Sequence, residues 1–192
     1  MPPKKTKPKK GAKLAGAKPP KKPSAKAAKK APAPPLVSTG FWLMKSEPES
    51  YSIEDLKRDQ KTLWTGVRNY LARNYMMHSM KPGDQVLFYH SSAEPPGVAG
   101  LAKITRVNLP DPSALDTSSH HHDPKASTDH PIWFCAEVSY EGHLKNYVPL
   151  EAIRAQKSLS QMPLLAKGQR LSIQPVSKNE FATVVKMGDG IK

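Results

Sequence analysis

Apolar and aromatic residues cluster in short stretches from residue 41 onward, and turn-forming residues separate the stretches. Five stretches are rich in aliphatic or aromatic residues and are bounded by Gly, Pro, Asn, Asp or Ser, a pattern typical of β-strands. Turns precede two of them: Lys81-Pro82-Gly83-Asp84 and Glu94-Pro95-Pro96-Gly97. The predicted strands are 41–45, 85–90, 98–107, 132–140 and 146–148.

Four other stretches have helical patterns. Ser52 with Asp55, and Ser177 with Glu180, have the three-residue spacing of a helix N-terminal cap. The predicted helices are 53–58, 67–80, 150–155 and 178–186. Residues 108–131 lack periodicity and are predicted to be a long loop. Because short strands alternate with short helices, the predicted fold class is α+β, a mixed β barrel or half-barrel rather than a parallel βαβ sheet.

The charge of the chain is concentrated near its start. The whole chain has 30 Lys and Arg residues against 16 Asp and Glu residues, a formal net charge of +14. Residues 1–35 contain 12 of the lysines and 9 prolines but no acidic residue. We therefore expect residues 1–38 to be a disordered Lys/Pro/Ala-rich tail and residues 39–192 to be one nearly neutral domain.

A flexible polycation binds nucleic acid by releasing counterions from the phosphates, without reading the base sequence. The tail is therefore expected to add non-specific affinity for DNA. A solubilising or targeting tail, or one that binds an anionic membrane surface, is the alternative. The lysines expected to provide this affinity are Lys4, Lys5, Lys9, Lys10, Lys21, Lys22, Lys29 and Lys30.

Several protein classes find no support in the sequence. No apolar run of about 18 residues is present, and the N-terminus lacks the apolar segment of a secretory signal, so no membrane partner is expected. The single cysteine, Cys135, fits an intracellular protein: nuclear in a eukaryote, cytoplasmic or nucleoid-associated in a bacterium. Nucleotide-binding, zinc-protease and serine-hydrolase signatures are missing, and the adjacent histidines 120–122 lack zinc-ligand spacing. We expect no enzyme activity, no metal and no cofactor.

The stretch from Trp64 to Tyr70 has the composition of a binding surface. A large aromatic, a glycine and a side-chain amide precede a predicted helix, and Arg68 and Arg73 follow. A tryptophan on a loop can stack on a base, and a helix N-terminus offers free N–H groups to an anion. On the residues alone, Trp64 fits a core position as well as a binding surface, and the two arginines fit solvated charges.

A series of motifs follows along residues 41–187. The motifs, with x for any residue, are FWLMKSEP at 41–48, YSIEDL at 51–56, WxGVRNYxARN at 64–74, MKxGD at 80–84, FYHS at 88–91, PGxAG at 96–100, DP at 111–112, DPK at 123–125 and RLSIQPV at 170–176. In this order they resemble the EVE domain. The resemblance implies a PUA-like pseudobarrel, related to the YTH and ASCH domains, flanked by short helices.

The resemblance implies a non-catalytic reader of modified bases, with modified cytosine in DNA as the ligand class. The base would leave the duplex and enter an aromatic pocket, as base-flipping proteins require. Two alternatives stay open: an RNA-binding PUA-like module that recognises modified RNA, and a nucleic-acid-processing enzyme. A monomer is the default oligomeric state.

The resemblance and the chemistry of the side chains together suggest roles for individual residues. Trp64 is the expected stacking plate, with Trp42 or Tyr89 as a second wall. A carboxylate accepts a hydrogen bond from the exocyclic amine of cytosine, which gives Glu47 a definite role. The other expected contacts are Ser46, Thr65 and Asn69 to the base edge, Lys45, Arg68 and Arg73 to phosphates, and His90 and Ser91 closing the pocket. For His90 and Ser91, simple capping of the strand end and the loop after it is the alternative.

Two departures from the family pattern bear on ligand preference. The family usually has tyrosine before the Asp123-Pro124-Lys125 motif, where this chain has His121 and His122. The residue after Trp64 is often acidic in the family, and here it is Thr65. If either position contacts the ligand, we expect a different preference, and the two histidines would make binding sensitive to pH.

Overall fold

The computed structural model describes residues 38–192, which form one mixed sheet with short helices on both of its faces. The predicted tail, with its eight lysines and its expected disorder, lies outside the described residues except for Ser38. The sheet order is β2-β5-β4-β3-β1-β6; β1 and β3 are parallel and all other neighbours are antiparallel. The strands are β1 Phe41–Ser46, β2 Lys61–Leu63, β3 Gln85–His90, β4 Gly97–Pro110, β5 Phe134–Pro149 and β6 Ile173–Pro175.

The predicted mixed α+β class is confirmed, and the sheet stays open, with β2 and β6 as its edges. The long strands β4 and β5 pair with four shifts in register. Each such irregularity bends and twists a strand pair locally, so the sheet curls toward a half-barrel without closing.

The helices are short and begin at the predicted caps. At α1, Ser52 accepts from the Asp55 N–H while the Asp55 carboxylate accepts from the Ser52 N–H. Ser177 and Glu180 form the same capping box at α4. The helices are α1 Ile53–Asp59, α2 Tyr70–Asn74, α3 Leu150–Ala155 and α4 Lys178–Met187, with a π-helical turn at Tyr75–Ser79 and 3₁₀ turns at Pro112–Ala114, Lys157–Leu159 and Pro163–Leu165.

Three predictions of local structure were wrong. The helix predicted over 67–80 begins only at Tyr70, because Asn69 is extended and its side chain caps α2. The two strands predicted over 132–140 and 146–148 are a single strand, β5, since residues 141–145 continue the pairing. The edge strands β2 and β6 were missed; three residues are too few to show a period-two pattern.

Alternation along β1 and β3 divides the core into two clusters on opposite faces of the sheet. Trp42, Met44 and Phe88 lie in the first cluster, which α1, α2 and the π-helical turn cover. Leu43 and Leu87 lie in the second, which α3, α4 and the 3₁₀ turns at Lys157–Leu159 and Pro163–Leu165 cover. We call these the cleft face and the helical face. No helix among residues 38–192 is both long and apolar enough to cross a membrane.

Candidate functional site

A cleft of about 310 Å³ opens beside the cleft-face cluster, where β1 ends and β2 leads into the loop before α2. Its residues come from four places: the end of β1, the turn before α1, strand β2 with the two residues after it, and the long β4–β5 loop. We call it the base cleft. It is lined by Lys45, Ser46, Ser50, Tyr51, Thr62, Leu63, Trp64, Thr65 and His121.

The turn between β1 and α1 forms one wall and is held by its own hydrogen bonds. The Glu47 carbonyl accepts from the N–H groups of Ser50 and Tyr51, both at 2.9 Å. The Ser46 hydroxyl donates to the Tyr51 carbonyl at 2.7 Å. Tyr51 itself donates through its hydroxyl to Asp59 Oδ2 at 3.1 Å, and burial is the largest cause that raises the pKa of Tyr51. The phenol is therefore neutral at physiological pH.

Trp64 belongs to the core and to the cleft at the same time. Its backbone N–H donates to the Ala136 carbonyl at 2.7 Å, which continues the β2–β5 pairing by one residue. Its ring meets Phe88 edge-on at 5.5 Å and 84°, and 8% of the residue is exposed. The ring is thus fixed by packing on one side while it lines the cleft on another, an arrangement that suits a stacking plate.

His121 reaches the cleft because residue 66 is a glycine. Gly66 has φ +78°, a conformation that side chains disfavour, and a Cβ there would lie 2.7 Å from the His121 ring. The missing side chain lets the imidazole lie against the backbone beside Trp64 and Thr65. Any larger residue at position 66 would displace the His121 ring from the Gly66 backbone.

A buried ion pair braces this loop. The Asp111 side chain is fully buried and accepts from Gly66 N–H at 3.0 Å and from Arg68 Nη1 at 2.7 Å. Ser113 adds two further donors, its N–H and its hydroxyl. Burial alone would raise the pKa of Asp111, but these hydrogen bonds together outweigh it and lower the pKa, so the carboxylate is charged.

Arg68 and Arg73 make intramolecular bonds with most of their donors. Besides Asp111, the Arg68 guanidinium donates to the carbonyl of His121, with Nε at 2.7 Å and Nη2 closer still. Arg73 donates to the Ile132 carbonyl at 2.9 Å and to Asn74 Oδ1 at 2.7 Å. Both side chains therefore hold the β4–β5 loop in place, which sequence reasoning did not anticipate. The Nζ atom of Lys45 lies 5.8 Å from the centroid of the Tyr89 ring, and burial lowers the pKa of Lys45.

Two predicted pocket walls do not line the cleft. Trp42 is fully buried, and its indole N–H donates to Asp84 Oδ2 at 2.8 Å, so it is a core residue. Tyr89 points to the helical face, since β-strand side chains alternate and its neighbour Phe88 points to the cleft face.

The remaining predicted contacts lie near the cleft without lining it. Glu47 is exposed at the turn and accepts from the Ser92 hydroxyl at 3.3 Å. The side-chain oxygen of Asn69 accepts hydrogen bonds from the N–H groups of Leu71 and Ala72 in α2. His90 Nε2 accepts from the Ile53 N–H at 3.1 Å, and the Ser91 N–H donates to the Ser46 carbonyl at 2.8 Å. Of the twelve residues predicted for the domain, the structure brings Lys45, Ser46, Trp64 and Thr65 together in the cleft.

Four lining residues were missed: Ser50, Tyr51, Thr62 and Leu63. Tyr51 lies in the YSIEDL motif at 51–56, so its aromatic ring could have been predicted as part of the pocket from the sequence. Thr62 and Leu63 gave none, because strand β2 itself was not recognised. His121 was noted for its position in the family pattern but was not assigned to the pocket.

The cleft combines one fixed aromatic plane with several hydroxyl groups and an imidazole. Such a set can stack on a flat ring and hydrogen-bond its edge. Within residues 38–192, no three His, Cys, Asp or Glu side chains lie together as a metal site would need. Cys135 is buried, and burial raises its pKa to about 12, so its thiol is not reactive.

Comparison with known proteins gives one consistent family. The EVE domain family model matches residues 40–187. The chain is 40% identical to human thymocyte nuclear protein 1 over 168 residues, 78% of this chain and 74% of the relative.

Solved structures are similar over the same region. A protein from Pseudomonas syringae has 44% identity and a TM-score of 0.74, covering 77% of this chain and 99% of that one. A crystal structure of human THYN1 protein in complex with DNA containing 5-methylcytosine has 39% identity and a TM-score of 0.72, covering 79% and 99%.

Proposed function

The chain belongs to the EVE domain family, and from this premise we propose that it binds DNA and takes a flipped modified cytosine into the base cleft. The observation that carries the proposal is the human relative, which is seen with DNA containing 5-methylcytosine. The protein acts as a non-catalytic reader, and in a eukaryotic cell it works in the nucleus, as the name of the relative indicates.

The size and lining of the base cleft support this function. Its volume of about 310 Å³ is at the lower end of the range for small-molecule sites, which suits one base rather than a larger ligand. Flipping a base costs a few kcal/mol of stacking and pairing. Stacking on Trp64 returns about 1–3 kcal/mol, and hydrogen bonds to the base edge supply the remainder.

Four of the lining residues have definite tasks in this proposal. Trp64 stacks on the base, and the hydroxyl groups of Ser46 and Thr65 bond its edge. His121 closes the cleft from the β4–β5 loop. A methyl group in a packed pocket is worth about 1–3 kcal/mol, so we expect a preference of roughly fivefold to 150-fold for 5-methylcytosine over cytosine.

The tail contributes affinity without preference. Its lysines neutralise phosphates of the bound DNA, so binding weakens as salt rises while the ratio between modified and unmodified DNA stays constant. Changing the eight tail lysines named above to Gln in the full chain should flatten the salt dependence for both DNAs equally.

Fluorescence anisotropy with matched duplexes tests the proposal. The full chain is titrated with DNA that carries one 5-methylcytosine or one cytosine at the same position, and with the corresponding RNA, over a salt series. Trp64→Ala should reduce the preference for the modified duplex to about onefold, whereas Trp64→Phe keeps an aromatic plane and should retain part of it. Tyr147→Ala removes another partly exposed aromatic ring, one that does not line the cleft. It should change neither the affinity for DNA nor the preference for the modified duplex.

A thermal melt of each variant separates loss of binding from loss of folding. Equal affinity of the wild type for the modified and unmodified duplex would refute the proposal. A clear preference for the RNA would move the function to the RNA-binding alternative.

A further inference from the structure

A second aromatic surface lies outside the base cleft, at the start of α2. Tyr70 is 60% exposed, more than any other large hydrophobic residue in the part of the chain that the structure describes. Its ring stacks on Trp133 with the centroids 4.9 Å apart and the planes 20° apart. The Arg73 guanidinium lies 4.8 Å from the Tyr70 ring and 5.9 Å from the Trp133 ring. We call Tyr70, Trp133 and Arg73 the aromatic platform.

These distances show which face of Tyr70 is open. If Arg73 covered the face opposite Trp133, the guanidinium would be almost twice the stacking distance from Trp133. It is 5.9 Å away, so Arg73 and Trp133 lie on the same side of the tyrosine ring. The other face of Tyr70 is turned to solvent, which accounts for the large exposed fraction.

The platform is held rigidly from beneath. Trp133 is buried, and its indole N–H donates to Asp123 Oδ2 at 2.7 Å. Arg73 is fixed by its bonds to the Ile132 carbonyl and to Asn74. An exposed aromatic ring that is already oriented loses little conformational entropy when another ring stacks on it. This pre-organisation distinguishes Tyr70 from a surface tyrosine that only tolerates exposure.

The charge of the platform favours an anionic partner. Arg68 lies 5.2 Å from the Trp133 ring, and its charge is neutralised by Asp111. Arg73 has no carboxylate within ion-pair distance among residues 38–192, so its positive charge stands uncompensated on the Trp133 side of the tyrosine ring. An aromatic plane next to a free cation is the combination that single-stranded nucleic acids recognise through base stacking and a phosphate.

The platform and the base cleft are linked through one side chain. The Arg68 guanidinium donates to the carbonyl of His121, which lines the cleft, and the same guanidinium lies over Trp133. Both surfaces therefore adjoin the β4–β5 loop.

We propose that the open face of Tyr70 stacks on the base that borders the modified one, and that Arg73 contacts its phosphate. This inference rests on the proposed function, because the bordering base loses a stacking partner only when its neighbour leaves the duplex. Tyr70 replaces that partner and returns part of the cost of flipping. The platform is thus a second contact with the same DNA, blind to the modification itself.

The experiment places the fluorescent base 2-aminopurine beside a single 5-methylcytosine, and in a second duplex six base pairs away from it. The full-length wild type, Tyr70→Ala and Tyr70→Phe are compared, with Tyr147→Ala as the aromatic control. Tyr70→Ala should weaken binding about fivefold or more and leave the adjacent 2-aminopurine brighter, since no ring quenches it. Tyr70→Phe should resemble the wild type, and the distant probe should not respond.

The two proposals fail in different ways. Unchanged affinity and unchanged adjacent fluorescence in Tyr70→Ala, with the preference for 5-methylcytosine intact, would overturn the platform alone and point to another partner for Tyr70, such as a protein. Equal binding of modified and unmodified duplexes by the wild type would overturn the reader function, together with a platform that depends on flipping. Because Tyr70 is exposed, its replacement should leave the thermal melt within about 2 °C of the wild type.

Discussion

Both faces of the sheet bury an apolar cluster, and on the cleft face a polar cleft opens beside that cluster. On the helical face, Leu43 and Leu87 are covered by α3, α4 and the 3₁₀ turns at Lys157–Leu159 and Pro163–Leu165. On the cleft face, the helices stop short of Trp64, and the gap is bordered by β2 and by the β4–β5 loop. A site arises here because a core aromatic is left accessible at its margin.

The helical side also has a depression, which shows that volume alone does not mark a site. It measures about 470 Å³ and lies along α4 beside Phe181, Val185 and Asp189. Phe181 packs on Phe41 with the ring centroids 4.9 Å apart, so the aromatic ring there is used within the fold. The base cleft is smaller but offers a stacking plane, hydroxyl groups and an imidazole at one point.

The cleft side should be the more sensitive to loss of a single charge. Arg68→Met removes the partner of the fully buried Asp111 and leaves that carboxylate uncompensated. We expect the free energy of unfolding to fall by about 3–5 kcal/mol, as for other broken buried pairs, and DNA binding to weaken because the β4–β5 loop loses its brace. Urea unfolding and anisotropy measure the two effects.

Arg58→Met is the matched control for that change. Arg58 forms ion pairs with Asp55 and Asp59 at the surface, where solvent screening leaves such pairs with little effect on stability. If both arginine variants lost the same stability, the buried pair would not be the brace that the geometry indicates.

Substitutions at Leu87 and Leu63 should separate the stability of the helical face from DNA binding at the cleft face. Leu87 is fully buried on the helical face, so Leu87→Ala should lower the free energy of unfolding by about 2–5 kcal/mol. Below its melting temperature, the variant should keep the wild-type preference for 5-methylcytosine. Leu63, which is 37% exposed and lines the base cleft, should show the reverse: Leu63→Ala should cost less than about 1 kcal/mol of stability and change DNA affinity. A changed preference in Leu87→Ala would mean that the two faces are coupled.

The smallest expected effect is a loss of stability at acidic pH. His90 joins β3 to α1 by accepting from the Ile53 N–H, which requires a neutral imidazole. Burial, and then the charge of the nearby His143, lower the pKa of His90 below its ordinary value of 6.5. The unfolded chain therefore binds more protons, so the contribution of His90 to stability is complete above about pH 6.5 and is lost as the pH falls through the lower, folded pKa.

Thermal melts between about pH 7.5 and 5 measure this contribution. The melting temperature of the wild type should fall as the pH is lowered. The melting temperature of His90→Gln, whose side-chain oxygen can still accept a hydrogen bond, should fall less over the same range. The groups that face His90 are His143 and the Tyr147 ring, and His143 in turn lies 2.8 Å from Glu54. His130→Gln, an exposed histidine on the β4–β5 loop, is the control and should follow the wild type.

The two tryptophans at positions 42 and 64 show how far sequence reasoning reaches. Both stand within a family motif, and both were expected in the pocket. Trp42 lies in β1, which has β3 and β6 on its two sides, and its indole N–H donates to Asp84. Trp64 follows an edge strand, so one side of its ring has no strand beside it. The position of a strand within the sheet depends on partners far along the chain, and the local pattern does not contain it.

Local pattern and motif order determined what depends on neighbours in the chain: the main strands, the capping boxes of α1 and α4, the mixed fold class and the family. Tertiary structure decided what depends on distant contacts. It placed His121 against Gly66, 55 positions earlier in the sequence, and it gave Arg68 and Arg73 hydrogen bonds that brace the β4–β5 loop. Short-range preferences act over a few residues, whereas a cleft forms where separate segments meet, so its lining follows from packing.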